Sequence, residues 1–476
     1  MLPILIIAAV LLLLLIRTPW RKPHLDADPG PTAASPLIQE TAAHLGQAVQ
    51  FQTVIDPGGS STDWKAFIAF GSWIEETYPL VHQKLQMEIV DGYTRIYCWE
   101  GSEPSKKPVL FTAHQDVVPA ENVDSWTHPP FSGTVADGFL WGRGALDMKG
   151  QMIILLETVE SLLKTGYQPK QSIYLVFSHD EEVGGSGAAK AAEYFQERGI
   201  EFSLLLDEGG CVTVGIMPWI KHPVAAVGVA EKGYVDIELT CSYYGGHSSM
   251  PGKRTSLGIL SEVLAKVEKH RFPLKLTSVS RQFFLTLMPH MPFFIRVILA
   301  NLWLFKPVFL KNMAKTPSGN ALVRTTTAVT MASGSDAPNS LPSVSSATVN
   351  FRLLPGYSPR DIIRHVETII GTRPVTCTPR RSEPPSFITD WESPAYQLVE
   401  QTVREIYPDA VTAPYQLTGG TDARRYQQIC SAICRFSPYR LTQREINGMH
   451  SQDERISLDN LHRALLFYHK LILRLE

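Results

Sequence analysis

The sequence predicts an α/β protein, a mixed sheet covered by helices on both faces and interrupted by a smaller α+β insert. Three observations predict it. The short apolar runs Pro108–Ala113 (PVLFTA), Ser172–Ser178 (SIYLVFS) and Phe202–Leu206 (FSLLL) have the length and composition of buried strands. Between them apolar residues recur at helical spacing, as in Met152, Leu155, Leu156, Val159, Leu162 and Leu163. Near Pro223 the pattern changes to alternating strands with two helices, and helical periodicity resumes after Glu383.

Residues 1–20 open with an almost wholly apolar run, Leu2 to Ile16, broken by Pro3 and followed by Arg17, Arg21 and Lys22. A spanning helix needs about 20 apolar residues, which Met1 and Trp20 complete. No basic residue precedes the run and no small-residue cleavage site follows it, so an uncleaved membrane anchor is expected, with a cleaved export signal as the alternative. Basic residues after the run favour a cytoplasmic C-terminal flank, and an outward-facing enzyme is the other arrangement. Residues 21–35, with Pro23, Pro29, Gly30 and Pro31, have the composition of a linker.

The globular part divides into 36–222, an insert at 223–383, and 384–476. Asp63 can cap a helix through Phe67, Phe70 and Ile74. Asp91-Gly92 separates two strand-like runs, Leu85–Val90 and Tyr93–Trp99, as in a hairpin. Gly187–Arg198 has helical character. In the insert, Val235–Thr240, Leu322–Met331 and Ala347–Leu353 are expected strands, and Ser256–His270 and Pro359–Ile370 expected helices. Helices follow at Ser393–Ile406 and from Ser457 to the C-terminus.

The 476 residues are 44% hydrophobic, ample for a core, and the formal net charge of −2 lacks the basic excess of a nucleic-acid binder. Six cysteines are too sparse for a disulfide scaffold, and Cys430 and Cys434 are expected to be buried free thiols.

Acidic and imidazole groups mass at the expected strand ends: His114-Gln115-Asp116, Asp180-Glu181-Glu182 and Asp207-Glu208, with Asp147 just before a helix. Ligands of open α/β sheets gather at such ends. Carboxylates crowded at one edge repel unless cations neutralise them. Mixed imidazole and carboxylate donors suit zinc, with cobalt or manganese as alternatives.

With these residues in order, the chain resembles the co-catalytic metallopeptidases that include aminoacylase-1, carboxypeptidase G and carboxypeptidase S. The likeness rests on His114-x-Asp116, the run Gly144-Ala145-Leu146-Asp147-Met148-Lys149-Gly150, Asp180-Glu181-Glu182, Asp207-Glu208-Gly209-Gly210 and Gly448-Met449-His450. The run Leu417 to Arg424 (LTGGTDAR), Arg435-Phe436-Ser437-Pro438 and the stretch to Glu454-Arg455-Ile456 resemble the carboxypeptidase S branch. That branch includes enzymes that make and cleave N-fatty-acyl amino acids.

The resemblance implies that the insert is a lid, and that His114, Asp147 and Asp207 hold one zinc while Glu182, His450 and the bridging Asp147 hold a second. Asp116 would orient His114, Glu181 would be the general base, and the Asp147–Met148 peptide would be cis. His247, in a Gly-Gly loop of the lid, would stabilise the oxyanion. Arg352 would grip a substrate carboxylate, with Asn339 as helper and the Gly419, Gly420 and Thr421 backbone close to the anion. The activity implied is hydrolysis of an amide next to a free carboxylate in a dipeptide or N-acyl amino acid. Its alternatives are reversible synthesis of N-fatty-acyl amino acids and a non-catalytic, membrane-tethered metal-binding protein. Several relatives of the fold dimerise through the lid, so a homodimer through the lid is one arrangement the resemblance offers, and the sequence leaves the oligomeric state open.

The apolar stretch Phe283–Phe309 is interrupted by Pro289, His290, Pro292 and Arg296, which argues against a second spanning helix. Lid core is the plain expectation; an acyl-chain channel or a surface resting on a bilayer is the alternative.

Overall fold

The three apolar runs become neighbouring parallel strands at the centre of a ten-stranded mixed sheet, in the order β6 (Ile173–Ser178), β3 (Val109–His114) and β7 (Leu204–Asp207). The computed structural model describes residues 12–20, 22–30, 36–56, 61–217 and 219–475. Beyond β6 lie β2 (Thr94–Trp99) and β1 (Gln86–Val90), an antiparallel hairpin turned at Asp91 and Gly92 with φ of 50° and 78°. Beyond β7 lie β17 (Ile433–Arg435), β9 (Val224–Glu231), β8 (Val212–Val214) and β18 (Arg440–Thr442), with β16 (Val411–Leu417) pairing β9.

Strand periodicity sorts the side chains between two cores. Val109, Phe111, Ala113, Leu204 and Leu206 pack with helices α1 (Pro36–Gln50), α4 (Lys149–Lys164), α12 (Pro394–Ile406) and α14 (Leu458–Leu473). Leu110, Val176 and Leu205 face the other way, onto α5 (Ser186–Glu197) and Tyr426. Helices α2 (Trp64–Thr77) and α3 (Pro79–Lys84) close the first side; the Asp63 carboxylate caps α2 as expected, accepting from the Lys65 amide. A three-stranded sheet of β4 (Thr134–Ala136), β5 (Phe139–Trp141) and β19 (Arg455–Ser457) ties the late chain to the segment before Asp147.

The insert carries its own four-stranded antiparallel sheet, in the order β12 (Thr326–Ser333), β14 (Val344–Leu353), β10 (Gly233–Ser242) and β15 (Val375–Glu383). Val235, Ile237, Leu239 and Cys241 point at α6 (Ser256–Lys269) and α11 (Pro359–Ile370), which cover one face. Two short strands, β11 (Gly246–His247) and β13 (Ser340–Leu341), pair at its rim. The expected insert began at 223, yet β9 is buried along its whole length and belongs to the large sheet, whereas β10 alternates; the lid sheet starts at Gly233. The expected strand Leu322–Met331 is displaced because Leu322 and Val323 end helix α10 (Pro317–Val323) and the strand begins at Thr326.

The apolar stretch in the insert does not fill the lid core. Helix α7 (Ser278–Leu287) buries Phe283, Phe284 and Leu287 against Ile220, Val224, Val411 and Ala413 of the large-sheet region. Helices α8 (Phe293–Ala300) and α9 (Leu302–Met313) follow, meeting at 116°. No single helix among the described residues is long and apolar enough to cross a membrane, and this bent pair reaches that length and composition only together.

Of the expected anchor, residues 1–11 lie outside the described residues, as do Arg21 and 31–35 of the expected linker. What is described of the linker is tied to the body. Asp28 pairs with Arg440 at 2.5 Å and Arg463 at 3.0 Å, and Arg440 and Arg463 hold its carboxyl below the usual range against the effect of burial. All six cysteines are free, and Cys430 and Cys434 are buried.

Candidate active site

Helix α4 starts one residue after Met148, so Asp147 stands at its head beside the C-terminal end of β3. The two carboxylate oxygens of Asp147 face different imidazoles. Oδ1 is 3.0 Å from His114 Nε2 and Oδ2 is 2.9 Å from His450 Nε2. Glu182 Oε1 is 3.1 Å from the same His450 nitrogen. Two groups of potential metal ligands therefore share Asp147: His114 with Glu208, and Glu182 with His450. The Asp147–Met148 peptide bond is cis.

The donor set fits a pair of cations. His450 Nε2 approaches Glu182 Oε1 at 3.1 Å without hydrogen-bond geometry, so this buried carboxylate oxygen stays unsatisfied, which costs free energy unless something else satisfies it. The Asp147 carboxylate, which accepts from His450 Nε2, and the Glu182 carboxylate beside it raise the His450 imidazole to about 10, and burial with the nearby Asp147 charge pushes the Glu208 carboxyl up to about 8. Such displacements mark a cluster of acids and imidazoles that a divalent ion would hold together.

Asp116 organises two of the strand ends at once. Its Oδ1 is 3.3 Å from His114 Nδ1 and accepts the Glu181 amide at 3.1 Å, while Oδ2 accepts the Glu182 amide at 3.0 Å. His114 Nδ1 also lies 2.9 Å from the Asp116 carbonyl oxygen, leaving Nε2 to face Asp147. Burial pushes the Glu181 carboxyl well above its ordinary range; His114 opposes this and Glu208, Asp422 and Glu182 add to it. A buried carboxyl whose proton affinity is raised in this way suits a general base.

The third strand end is arranged differently from the expected ligand set. Asp207 lies on the Leu205 side of β7, and its Oδ2 accepts the Ala423 amide at 2.9 Å. Glu208, one residue past the strand, faces His114 at 3.6 Å. The adjacent Asp422 receives the Ser178 hydroxyl at 2.5 Å.

Glu454 was legible only as part of the late motif, and the structure gives it a definite task. Its Oε1 accepts the amides of Gly144 (3.1 Å), Leu146 (2.8 Å) and Asp147 (3.1 Å), while Oε2 receives Arg143 Nη1 at 2.6 Å. The loop that carries His450 is thereby strapped to the loop that carries Asp147.

A cavity of about 770 Å³ adjoins the cluster. Asp147, Glu208 and the Gly419, Gly420 and Thr421 loop line one part; Phe283, Phe284, Met291, Met313 and Leu322 line another. Thr421 is itself held by Glu231, which also binds Arg424 and Arg435. Of the apolar stretch Phe283–Phe309, expected as lid core or as an acyl-chain channel, Phe283, Phe284 and Met291 reach this cavity wall.

The remaining expected residues sit on the lid. His247 is exposed on β11 with Nδ1 2.7 Å from Ser249 Oγ, and its neighbour Ser248 donates its amide to the Asn339 carbonyl. Arg352 on β14 lies 4.5 Å above the Tyr234 ring. None of these three belongs to the ligand groups or to the cavity wall among the described residues.

The sequence profile of Peptidase family M20/M25/M40 matches residues 110–474. The chain is 36% identical over 446 residues to Probable carboxypeptidase S-like 2 of Dictyostelium discoideum, covering 92% of this chain and 85% of that protein. It is 36% identical over 408 residues to the N-fatty-acyl-amino acid synthase/hydrolase PM20D1 of Xenopus tropicalis, covering 85% and 80%. Its fold is similar to the M20 family metallo-carboxypeptidase Sso-CP2 from Sulfolobus solfataricus, with TM-score 0.65 at 16% identity over 92% of this chain and 99% of that one.

Proposed function

From the premise that this chain belongs to peptidase family M20/M25/M40 and is a metal-dependent hydrolase of amide bonds, we propose that it cleaves the amide of N-acyl amino acids with long apolar acyl groups. The observation that carries the reading is the cavity, which places Asp147 and Glu208 on one wall and Phe283, Phe284, Met313 and Leu322 on another. A substrate with an apolar tail and an amide near its polar end matches that division.

Two metal ions are proposed, zinc first. Asp147 would be shared between the two, Glu182 and His450 would complete one site, and His114 with the acid of Asp207-Glu208 would complete the other. Bound metal would supply Lewis acidity to the attacking water and the scissile carbonyl. Glu181 removes the proton from that water and returns it to the leaving nitrogen, and Asp116 holds the Glu181 turn in place through both backbone amides. The Gly419–Thr421 backbone offers amide donors to the substrate carboxylate. Arg352, Asn339 and His247 are proposed to approach from the lid, Arg352 to pair the carboxylate and His247 to stabilise the oxyanion.

Condensation of a fatty acid with an amino acid is the second reading. The same residues serve both directions because forward and reverse reactions share a transition state, and the likeness to PM20D1 supports it. Membrane association through the N-terminal segment belongs to the same proposal, supported by the apolar run before Arg17. So does pairing of two copies through the lid, whose sheet leaves Met331 exposed on its uncovered side.

The test is a zinc-loaded assay of the full chain against dipeptides and N-acyl amino acids of graded acyl length. kcat/KM is expected to rise with chain length; equal turnover of N-acetyl and long-chain substrates would overturn the reading.

A further inference from the structure

Helices α8 and α9 carry an apolar surface that is left uncovered among the described residues. Their inner sides bury Ile295, Leu299, Phe309 and Leu310. Their outer sides expose Phe294 (64%), Trp303 (56%), Leu304 and Val308 (54%). A soluble surface seldom leaves so many large apolar groups together without an interaction to make.

The N-terminal segment extends this surface instead of covering it. Residues 12–16 are helical and dock on α8 and α9 through one buried side chain, Leu14, whose carbonyl accepts Asn301 Nδ2 at 3.1 Å. Arg296 Nη1 donates to the carbonyls of Pro19 (2.8 Å) and Trp20 (3.2 Å), and the Trp20 ring lies 5.0 Å from Phe293. Leu12, Leu13, Leu15, Ile16 and Trp20 stay exposed. Residues 1–11 are all apolar in sequence (MLPILIIAAVL).

The charge around it has one sign. No Asp or Glu occurs between Arg271 and Ser335 or before Asp26, whereas Arg17, Lys22, Lys306, Lys311 and Lys315 are exposed. A second copy of the same basic surface would be repelled, while an anionic interface would be attracted. Basic residues flanking exposed aromatic and aliphatic side chains are the composition of a surface that lies in the headgroup layer.

We propose that α8, α9 and residues 12–20 form one docking face for an anionic lipid bilayer, lying on the membrane and not crossing it. The same helix α9 contributes Asn312 and Met313 to the cavity wall that reaches Glu208, so the face borders the route from lipid to the ligand cluster. Only that last point rests on the proposed substrate; the docking itself does not.

Amide hydrogen exchange of the full chain, with and without vesicles of phosphatidylcholine and phosphatidylserine, tests it without reference to turnover. Exchange across residues 293–313 is expected to slow by about tenfold or more with vesicles, with α6 unchanged. The variant F294E/W303E/V308E is expected to lose this protection and to partition at least about tenfold less, while cleaving a soluble short-chain substrate as before. Unchanged exchange at 293–313 on a vesicle-bound chain would leave only the N-terminal run as the anchor and overturn the proposal. Protection that grows with protein concentration in the absence of lipid would point to a second copy and overturn it equally. Absence of long-chain turnover with protection intact would count against the proposed substrate alone.

Discussion

Glu454 Oε1 accepts the backbone amide of Asp147 at 3.1 Å, so a residue four positions after one candidate ligand sets the backbone of another some three hundred residues earlier. The carboxylate is buried, its other oxygen is paired with Arg143, and it gathers two further amides. Glu454→Ala is expected to cost about 3–5 kcal/mol by leaving Arg143 buried and unpaired. Glu454→Gln keeps the shape and should cost less while weakening metal affinity. Thermal unfolding with metal titration checks both; unchanged metal affinity in the Gln variant would remove the positioning role.

Glu181 is a base and not a ligand in the proposed mechanism. Glu181→Gln should retain metal stoichiometry and lose about 10²–10⁴-fold in kcat. Metal analysis beside single-turnover kinetics separates the two effects, and undiminished turnover would exclude this base.

The acid that completes the His114 site is decided by a pair of variants. Glu208 faces His114, and Asp207 faces the Ala423 amide. Glu208→Gln is expected to lose one equivalent of metal, whereas Asp207→Asn should destabilise the turn by about 1–3 kcal/mol, the cost of a disrupted buried hydrogen bond. The opposite pattern would assign the site to Asp207.

Met313 lies on the cavity wall and is half-buried, so a larger side chain there narrows the apolar part. Met313→Trp is expected to lower kcat/KM for a long-chain N-acyl amino acid by about tenfold or more and to leave the N-acetyl substrate nearly unchanged. A uniform loss on both would argue that the acyl group lies elsewhere.

His44 supplies a pH dependence remote from the ligands. Its Nδ1 lies 2.5 Å from Glu157, and that hydrogen bond raises the imidazole above its ordinary value. A raised imidazole contributes stability that is fully present below its unfolded value of about 6.5 and is lost as pH rises through the folded value. Tm should therefore fall as pH rises above about 6.5 in the native chain, and fall less in His44→Gln. Parallel slopes in the two proteins would show that His44 is not the titrating group.

Much of the large sheet was legible because its signals are local. Val109–His114, Ile173–Ser178 and the hairpin at Asp91-Gly92 are specified by apolar runs and a turn pair within a few residues. The ends of α2, α12 and α14 were legible for the same reason, since Asp63, Ser393 and Ser457 each cap the helix that follows with their own side chains. His114, Asp147 and Glu182 were legible as residue types at strand and loop ends and His450 only through the family resemblance, and the structure brings these four together.

Which of two adjacent acids faces the cluster was not legible, because successive side chains along an extended chain point to opposite faces and a motif records only their order. The tertiary structure alone put Asp207 against Ala423 and Glu208 against His114, laid α7 on the large sheet, strapped Asp147 to Glu454, and tied Asp28 to Arg440 and Arg463. Each of those contacts joins groups distant in the chain, and none has a signature in local periodicity. Local composition determined the strands, the helix caps and the chemical types at the site; packing between distant segments decided which of those groups meet.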